Sequence, residues 1–377
     1  MSLPVVKPTK ILHLSAAKSW GGGENHLLNL CLELPEVEHF VLCKKGSEPV
    51  ERFSSYKLNI FAAPLLIKPD LRYVLKLIRI CKREGINLIH IHDSTALTLA
   101  VMATKLSALP PFVLSKKTSF PIKDRGRTLY KYNHKNIQKI LCVSNETRRV
   151  TFESVKDKNK LTTIYHGTRP SNPGNNPCSL RERFNIPKDS ILVGTVANHI
   201  RAKDLGTWVA TIDRVVNRLG MKNFYFIEIG KITERTADYN RQIREKNLQD
   251  YCMFTGFLPE ASELISQFDI SFMTSQSEGI PQFIYESFYN RVPVVSTNVG
   301  GIPEIITDGE NGMLSNPFEA ARLADKLIAL SQDKVLQKKF TERSYKKLIE
   351  NFTSTEMARQ TLAEYKKVLY GENRSGS

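Results

Sequence analysis

Glu278-Gly279-Ile280-Pro281-Gln282-Phe283-Ile284-Tyr285-Glu286 is followed closely by Pro293-Val294-Val295-Ser296-Thr297-Asn298-Val299-Gly300-Gly301-Ile302-Pro303-Glu304. The second run is a short apolar, β-branched strand (293–296) that enters a glycine turn. The first reads as a short helix with Glu278 at its start and Glu286 at its middle. Eight helical positions would separate the two carboxylates by about 12 Å along the axis. That is too far for a shared proton and suits a grip on two ends of one elongated ligand. Helix, strand and glycine turn in succession are the unit of a parallel α/β sheet.

The same alternation extends outward through the chain. In the N-terminal half, β-rich runs at 11–15, 40–43, 59–62, 88–92, 112–115 and 140–143 alternate with amphipathic stretches at 24–34, 71–83 and 96–106. A Pro/Asn/Gly/Ser-rich segment, 168–179, interrupts it. The rhythm then restarts, with strands expected at 191–197, 224–229, 251–254, 270–273 and 293–296 and helices at 205–219, 237–246 and 318–330. The expected architecture is two doubly wound Rossmann-like domains facing across a cleft: residues 1–168, a linker over 169–184, and residues 185–352. In such open sheets ligands bind beyond the carboxyl ends of the strands. The tail 371–377 is small and polar and is expected to be disordered.

Composition sets the class. The chain has 377 residues, 41% hydrophobic and 24% charged, which is ordinary for a globular protein of two domains. No run of 18 apolar residues suggests a membrane span, and the first residues lack the basic and apolar regions of a signal peptide. Six scattered cysteines without a Cys-x-x-Cys or zinc-type spacing read as reduced thiols, which fits a cytoplasmic protein. The net charge of +16 is uneven: residues 1–168 hold 27 Lys+Arg against 13 Asp+Glu, leaving 27 against 25 for the remainder. A basic first half implies an anionic partner, whether nucleic acid, lipid headgroup or phosphorylated acceptor.

Several local patterns carry chemistry. Gly21-Gly22-Gly23-Glu24 lies between a strand and a helix, where glycines let backbone approach a phosphate and a helix start supplies free N–H groups. The G-x-G-x-x-G dinucleotide spacing is absent. His90 and His92 end a strand and share one face by the two-residue period; with no third ligand apparent nearby, a metal site is not expected. Asn198-His199-Ile200-Arg201-Ala202-Lys203 forms a basic loop after the first strand of the second domain. The segment 115–132, with Lys116, Lys117, Arg125 and Arg127, mixes cations with aromatics and suits nucleic acid or an anionic membrane. Arg72, Lys76, Arg79 and Arg83 form one helical stripe.

Taken together, these motifs resemble the retaining glycosyltransferases of the GT-B fold, the family-four group, over nearly the whole chain. The resemblance implies that Glu278 contacts a donor sugar and Glu286 holds ribose hydroxyls, with Gly279 and Ile280 between them at the donor. It implies that Gly22 and Gly23 line the donor diphosphate, and that His92 faces the sugar while His90 is structural. Lys203 stands where the family's phosphate-binding Lys stands. The family's Arg, five positions earlier, is here Asn198, which leaves open whether Asn198 or Arg201 takes its place. Gly230 and the Thr255-Gly256-Phe257 turn resemble the family's nucleotide-side loops. Ser144-Asn145-Glu146 and His166-Gly167 match interdomain positions, and 353–370 matches a last helix that returns to the first domain.

The expected activity is therefore retaining transfer of a sugar from a nucleotide-diphosphate donor, such as a UDP- or GDP-sugar, to a glycan or lipid-linked acceptor in cell-envelope polysaccharide or lipopolysaccharide synthesis. Glu278, His92 and Lys203 are the expected catalytic residues. No cofactor or metal is required, and the basic first domain (Arg72, Lys76, Arg79, Lys116, Lys117, Arg125, Arg127) would meet the acceptor or the inner face of the cytoplasmic membrane. A GT-B epimerase or phosphorylase is the alternative within the fold. A nucleic-acid binder is the alternative outside it, and it leaves Glu278 and Glu286 unexplained.

Overall fold

A computed structural model describes residues 8–169 and 179–371. The chain divides into two compact units, Met1–Gly167 with Thr353–Ser377 and Thr168–Phe352.

The first unit carries a 7-stranded sheet in which every pairing is parallel, ordered β3-β2-β1-β4-β5-β6-β7. Its strands are β1 (Thr9–Leu14), β2 (Val37–Lys44), β3 (Asn59–Ala63), β4 (Leu88–Ile91), β5 (Phe112–Lys116), β6 (Ile137–Cys142) and β7 (Leu161–Thr163). Apolar side chains fill both faces, as a sheet covered by crossover helices requires. On one side Leu12, Leu14, Ile89 and Leu114 pack against Tyr73, Val74 and Leu77 of the helix Leu71–Glu84 and Leu97 and Ala100 of the helix Ser94–Ala103. On the other, Ile11, Leu88, Val113 and Leu141 meet Leu30 of the helix Gly22–Glu33 and Met357, Ala358 and Tyr365 of the helix Ser354–Tyr370. Asp70 caps the helix Leu71–Glu84 through Arg72 N, and Gly85 ends it at φ 67°, where glycine avoids the cost of a left-handed backbone. Within this unit, a Cβ on Gly167 would sit 2.3 Å from the carbonyl oxygen of Thr353.

The second unit carries a 6-stranded parallel sheet, ordered β10-β9-β8-β11-β12-β13, from β8 (Ile191–Val196), β9 (Phe224–Ile229), β10 (Cys252–Phe254), β11 (Ile270–Met273), β12 (Val294–Thr297) and β13 (Met313–Ser315). Trp208 is fully buried at the centre of its core; its Nε1 donates to Thr195 Oγ1 at 3.0 Å and its ring stacks on Phe254. The two sheets give a two-domain, doubly wound α/β architecture.

Strand order reverses between β1 and β4 in one sheet and between β8 and β11 in the other. These are the switch points where doubly wound sheets open a crevice. The segments that leave them carry Gly22 and Gly23, the first two residues of the helix Gly22–Glu33, and His92 in the first unit, and Asn198, Arg201, Lys203 and Glu278 in the second.

Several sequence expectations shift. Glu278 is not in a helix: the helix is Gln282–Tyr289, Pro281 before it is extended at φ −76°, ψ 130°, and Glu278 lies in the preceding loop. Proline disfavours helical geometry in the residue ahead of it, so the 12 Å helical spacing does not describe this pair. The stretch expected as one helix over 205–219 is α-helical over Leu205–Asp213 and widens over Arg214–Arg218, where Leu219 N reaches back five residues to Arg214 O. Of the expected linker, residues 170–178 lie outside the described residues, and Leu180–Arg183 forms one helical turn. The first seven residues and most of the tail also lie outside them. Among the described residues no helix is long and apolar enough to cross a membrane.

Candidate active site

In the second unit, the loops after β8 and β11 are tied together. Thr274 Oγ1 donates to the carbonyls of Lys203 (3.2 Å) and Asp204 (3.0 Å), Gln276 N donates to Ala202 O at 2.8 Å, and the Gln276 amide donates to Arg201 O. Asp204 takes a left-handed backbone, φ 46°, and caps the helix Leu205–Asp213 through Thr207. This frame sets Lys203 Nζ 2.6 Å from Glu278 Oε1, with the two side chains only 18% and 12% exposed. The lysine and the first glutamate singled out in the sequence thus form one largely desolvated ion pair at the switch point. Arg201 is exposed on the same loop.

The glutamate loop is held from its other side. Gly301 N donates to Gly279 O at 2.7 Å, and Ile280 is buried. The helix Gln282–Tyr289 starts with no side-chain cap, so its first amides are potential anion donors. Glu286 projects from it, and one carboxylate oxygen accepts from Ser262 Oγ at 3.0 Å. Burial pushes the Glu286 pKa up, and the Ser262 bond partly offsets this. Both polar atoms of the Gln282 side chain and Ser275 Oγ are buried without a hydrogen-bond partner. Buried polar groups are normally satisfied, so these orphans mark polar capacity at the same loops. Gln282 stands inside the opening sequence run, but nothing in its spacing distinguishes it.

Asn198, Gly230 and Phe257 sit on neighbouring loops. Asn198 Oδ1 accepts from Lys231 N at 3.0 Å, which leaves the side-chain NH2 as its polar handle. A Cβ on Gly230 would lie 1.6 Å from the Ala197 carbonyl oxygen, so glycine is demanded there by close loop packing. Phe257 follows Gly256, at φ 77°, and presents 47% of its surface. Beneath them Glu228 Oε2 and His199 Nε2 meet at 2.6 Å with no exposure, and His199 Nδ1 lies 2.7 Å from Thr236 Oγ1.

In the first unit the glycine loop and strand ends are organised around histidine. His13, His26, His39, His90, His92 and His166, six of the chain's eight histidines, are buried close together. The register pairs His13 with His90 across β1 and β4, so the third imidazole that the sequence did not disclose stands beside His90 and His92. Ligand atoms of His13, His90 and His92 lie within 4.8 Å of one another, as do those of His13, Cys31 and His39. Each of these imidazole nitrogens already has a hydrogen-bond partner. His90 joins Tyr365 OH (2.5 Å) and Ser115 Oγ (2.8 Å), and His39 Nε2 lies 3.0 Å from Leu34 O. His39 Nδ1 meets His13 Nε2, and His13 Nδ1 meets His92 Nε2, both at 3.0 Å; His92 Nδ1 meets Lys117 Nζ at 3.2 Å. A metal would have to displace these partners.

One carbonyl sets the direction of the whole chain. Leu34 O can only accept, so His39 donates from Nε2 and accepts at Nδ1. His13 must then donate from Nε2 and accept at Nδ1, and His92 likewise, with the Lys117 ammonium as final donor. Burial lowers the pKa of all three histidines, that of His39 to about 4, and keeps them neutral. Imidazole 15N NMR should show three Nε2–H tautomers that do not titrate between pH 8 and 5.5. An Nδ1–H signal from any of them would break the assigned direction. His92 therefore has both nitrogens engaged and acts here as a link that positions Lys117. That lysine, just past the end of β5, also donates to Gly23 O at 2.8 Å and so ties that strand end to the first turn of the helix Gly22–Glu33. Asp93 adds a second tie by accepting from Ala16 N at 2.6 Å. His26 Nδ1 and both nitrogens of His166 are buried without partners, the two rings 4.3 Å apart.

The cations assigned to the acceptor or membrane separate into two groups. Arg79, Arg125 and Arg127 are exposed; Arg72 is exposed but forked onto Asp70; Lys76 is half-buried, over the Phe61 ring at 5.8 Å. Lys116 is buried, with its ammonium donating to Thr118 O, Thr118 Oγ1 and Phe120 O, and Lys117 faces inward as described. Lys116 therefore does not belong to an exposed cationic surface, and Lys117 is half-buried against the start of the helix Gly22–Glu33.

The comparisons with known proteins bear on the same loops. The profile described as Glycosyltransferase Family 4 matches residues 20–172, and that described as Glycosyl transferases group 1 matches residues 179–347. N-acetyl-alpha-D-glucosaminyl L-malate synthase of Bacillus anthracis is 22% identical over 307 residues, 80% of each chain. An O-antigen biosynthesis glycosyltransferase of Escherichia coli is 32% identical over 142 residues, 37% of this chain and 38% of that one. Among solved structures, Anabaena HepE in complex with UDP and glucose superposes with a TM-score of 0.81 at 17% identity, covering 95% of this chain and 100% of that one. With one profile on each sheet, and switch-point loops built from the residues those profiles span, the chain belongs to the GT-B glycosyltransferases of the family-four type.

Proposed function

We propose that the chain moves a sugar, with retention of anomeric configuration, from a nucleoside-diphosphate sugar to a glycan or lipid-linked acceptor in cell-envelope polysaccharide or lipopolysaccharide synthesis. The observation that carries this reading is the Lys203–Glu278 pair at the second unit's switch point. A desolvated ammonium beside a loop carboxylate can oppose charge on a departing diphosphate and address the sugar next to it. In the step itself the anomeric carbon–phosphate oxygen bond breaks, the acceptor oxygen bonds to the same face, and the acceptor proton passes to the leaving phosphate. Glu286 would take the ribose hydroxyls, the uncapped amides before it and Asn198 or Arg201 the phosphates, and the Gly230 and Phe257 loops the nucleobase side. HepE's bound UDP and glucose support a UDP-sugar donor, and the O-antigen relative supports the envelope setting. The basic first unit would serve the acceptor at the cytoplasmic face of a membrane. No metal or cofactor is assigned to the reaction.

A panel of nucleotide sugars tests this by thermal stabilisation and by 1H NMR of slow donor hydrolysis. One UDP- or GDP-sugar is expected to raise Tm and to release its sugar first as the retained anomer, with or without EDTA. Absence of both effects across the panel would overturn the donor reading; release of the inverted anomer would overturn retention; and loss of turnover with EDTA would bring in a metal.

A further inference from the structure

Charge alone suggested an anionic partner for the first unit, but the structure adds an apolar element to that surface. Leu66, Ile67, Leu71 and Leu75 are 78%, 69%, 56% and 49% exposed, within ten consecutive positions. Single exposed leucines need no explanation, whereas a contiguous group of large aliphatics does. Leu71 and Leu75 are one turn apart on the helix Leu71–Glu84 and share a face. Leu66 and Ile67 lie on the loop that leads into it.

The loop is built and not frayed. The Asp70 carboxylate accepts from Leu66 N (3.1 Å), from Arg72 N (3.1 Å) and from two nitrogens of the Arg72 guanidinium (3.0 and 2.8 Å). One buried carboxylate therefore caps the helix and holds the loop that presents Leu66 and Ile67, the two most exposed of these four side chains. Exposed cations border them: Lys68 within the loop, Arg72 and Arg79 on the helix. Lys131, on the helix Gly126–Tyr132, has its pKa pushed down by burial and then by the nearby charge of Lys68. That helix, with Tyr130 57% exposed, is thus a neighbour of the loop.

We propose that Leu66, Ile67, Leu71 and Leu75 form a preformed wedge that inserts into the interface of an anionic lipid bilayer, with Lys68, Arg72 and Arg79 on the headgroups. A protein or nucleic-acid partner of acidic character would match the cations but leave the four aliphatics wet. A second copy of this chain would cover the aliphatics but bring like charges together. A bilayer with anionic headgroups satisfies both, because apolar side chains enter the acyl boundary while cations stay at the phosphate level. The inference deepens the membrane side of the proposed function and differs from attraction by charge alone, which salt within a Debye length of roughly 8 Å would abolish.

Co-sedimentation of the full chain with vesicles of phosphatidylethanolamine and phosphatidylglycerol, against phosphatidylcholine alone, tests it. Wild-type protein is expected to bind the anionic vesicles at least tenfold more tightly and to retain measurable binding in 0.5 M salt. The double variant Leu66→Ser/Ile67→Ser should lose at least tenfold at low salt and all binding at high salt, with unchanged circular dichroism and Tm. Ile67→Trp should give a blue-shifted fluorescence increment on adding anionic vesicles. Wild-type binding in the serine variant, complete loss of wild-type binding in 0.5 M salt, or a wild-type dimer in sedimentation that the serine variant dissolves would each overturn the wedge. Donor hydrolysis, measured without lipid, stays at the wild-type rate in the serine variant if the glycosyltransferase reading holds. Absence of hydrolysis in every form would fail that reading while leaving the vesicle result to stand or fall alone.

Discussion

Lys203→Ala is expected to lower kcat by about a hundredfold or more with the fold intact, the scale on which a preorganised group facing developing charge contributes. The ammonium sits 2.6 Å from Glu278 Oε1, largely out of water, on a loop braced by Thr274 and Gln276. Its backbone is held by bonds that do not involve its own side chain, so alanine removes the charge without releasing the loop. The effect should appear in kcat more than in KM, because leaving-group charge grows only as the glycosidic bond breaks. Glu278→Gln should also slow turnover. The double variant should be less impaired than the product of the two single effects, since either change alone removes the opposite charge that a largely buried partner faces. The measurement is steady-state turnover of the donor identified by the nucleotide-sugar panel, with Tm as the control. Wild-type kcat in Lys203→Ala would remove the lysine from the chemistry, and full multiplicativity would show that the pair does not act as a unit.

The legibility of this chain followed the physics of each element. Parallel strands buried on both faces are apolar runs, which is why β1, β4, β8 and β11 stood out from their neighbours. The edge strands β7 and β13 have three residues each and include Thr or Ser, whereas the equally short β10 is an apolar Cys-Met-Phe run that stood out. The helix Lys334–Asn351 buries only Phe340, Ser344 and Leu348, and the exposed Val335 and Ile349 lie off that face, so its apolar stripe was blurred. Lys203 and Glu278, 75 positions apart, were separate motifs in the sequence, and the sheet order at β8 and β11 is what joins them. The histidine chain was invisible for the same reason: parity places His90 and His92 on one face, but only the register of β1 against β4 adds His13, and only β2 adds His39. Net charge likewise counted Lys116 and Lys117 as surface, whereas both ammonium groups turn onto backbone carbonyls. Leu66 and Ile67 went unremarked because exposure of an aliphatic side chain leaves no mark in a local pattern.

Glu286→Ala is expected to weaken nucleoside-diphosphate binding at least tenfold, and the effect should depend on pH in a direction that the burial of the residue dictates. A carboxylate that accepts two vicinal hydroxyls makes charge-assisted hydrogen bonds worth about 1.5–3 kcal/mol each, and a tenfold loss needs only about 1.4 kcal/mol. In the structure the Glu286 carboxylate accepts from Ser262 Oγ, and burial raises its pKa above the ordinary carboxylate value. A raised pKa means that the folded protein binds a proton more readily than the unfolded chain. This residue's contribution to stability therefore falls as pH rises from the unfolded value through the folded one. Ligand binding runs the other way, because two hydroxyl donors require the ionised form. As pH falls through the raised pKa, the carboxyl takes up a proton, loses acceptor capacity, and the nucleotide binds more weakly. Calorimetry with UDP at pH 8 and 5.5 should show weaker binding by the wild type at the lower pH. Glu286→Gln, which cannot titrate, should be weak at both and report whatever pH dependence the diphosphate itself contributes. Equal UDP affinity for Glu286→Ala and wild type at pH 8 would take the residue out of the site, and an identical pH dependence in Glu286→Gln and wild type would show that its proton is not the one that matters.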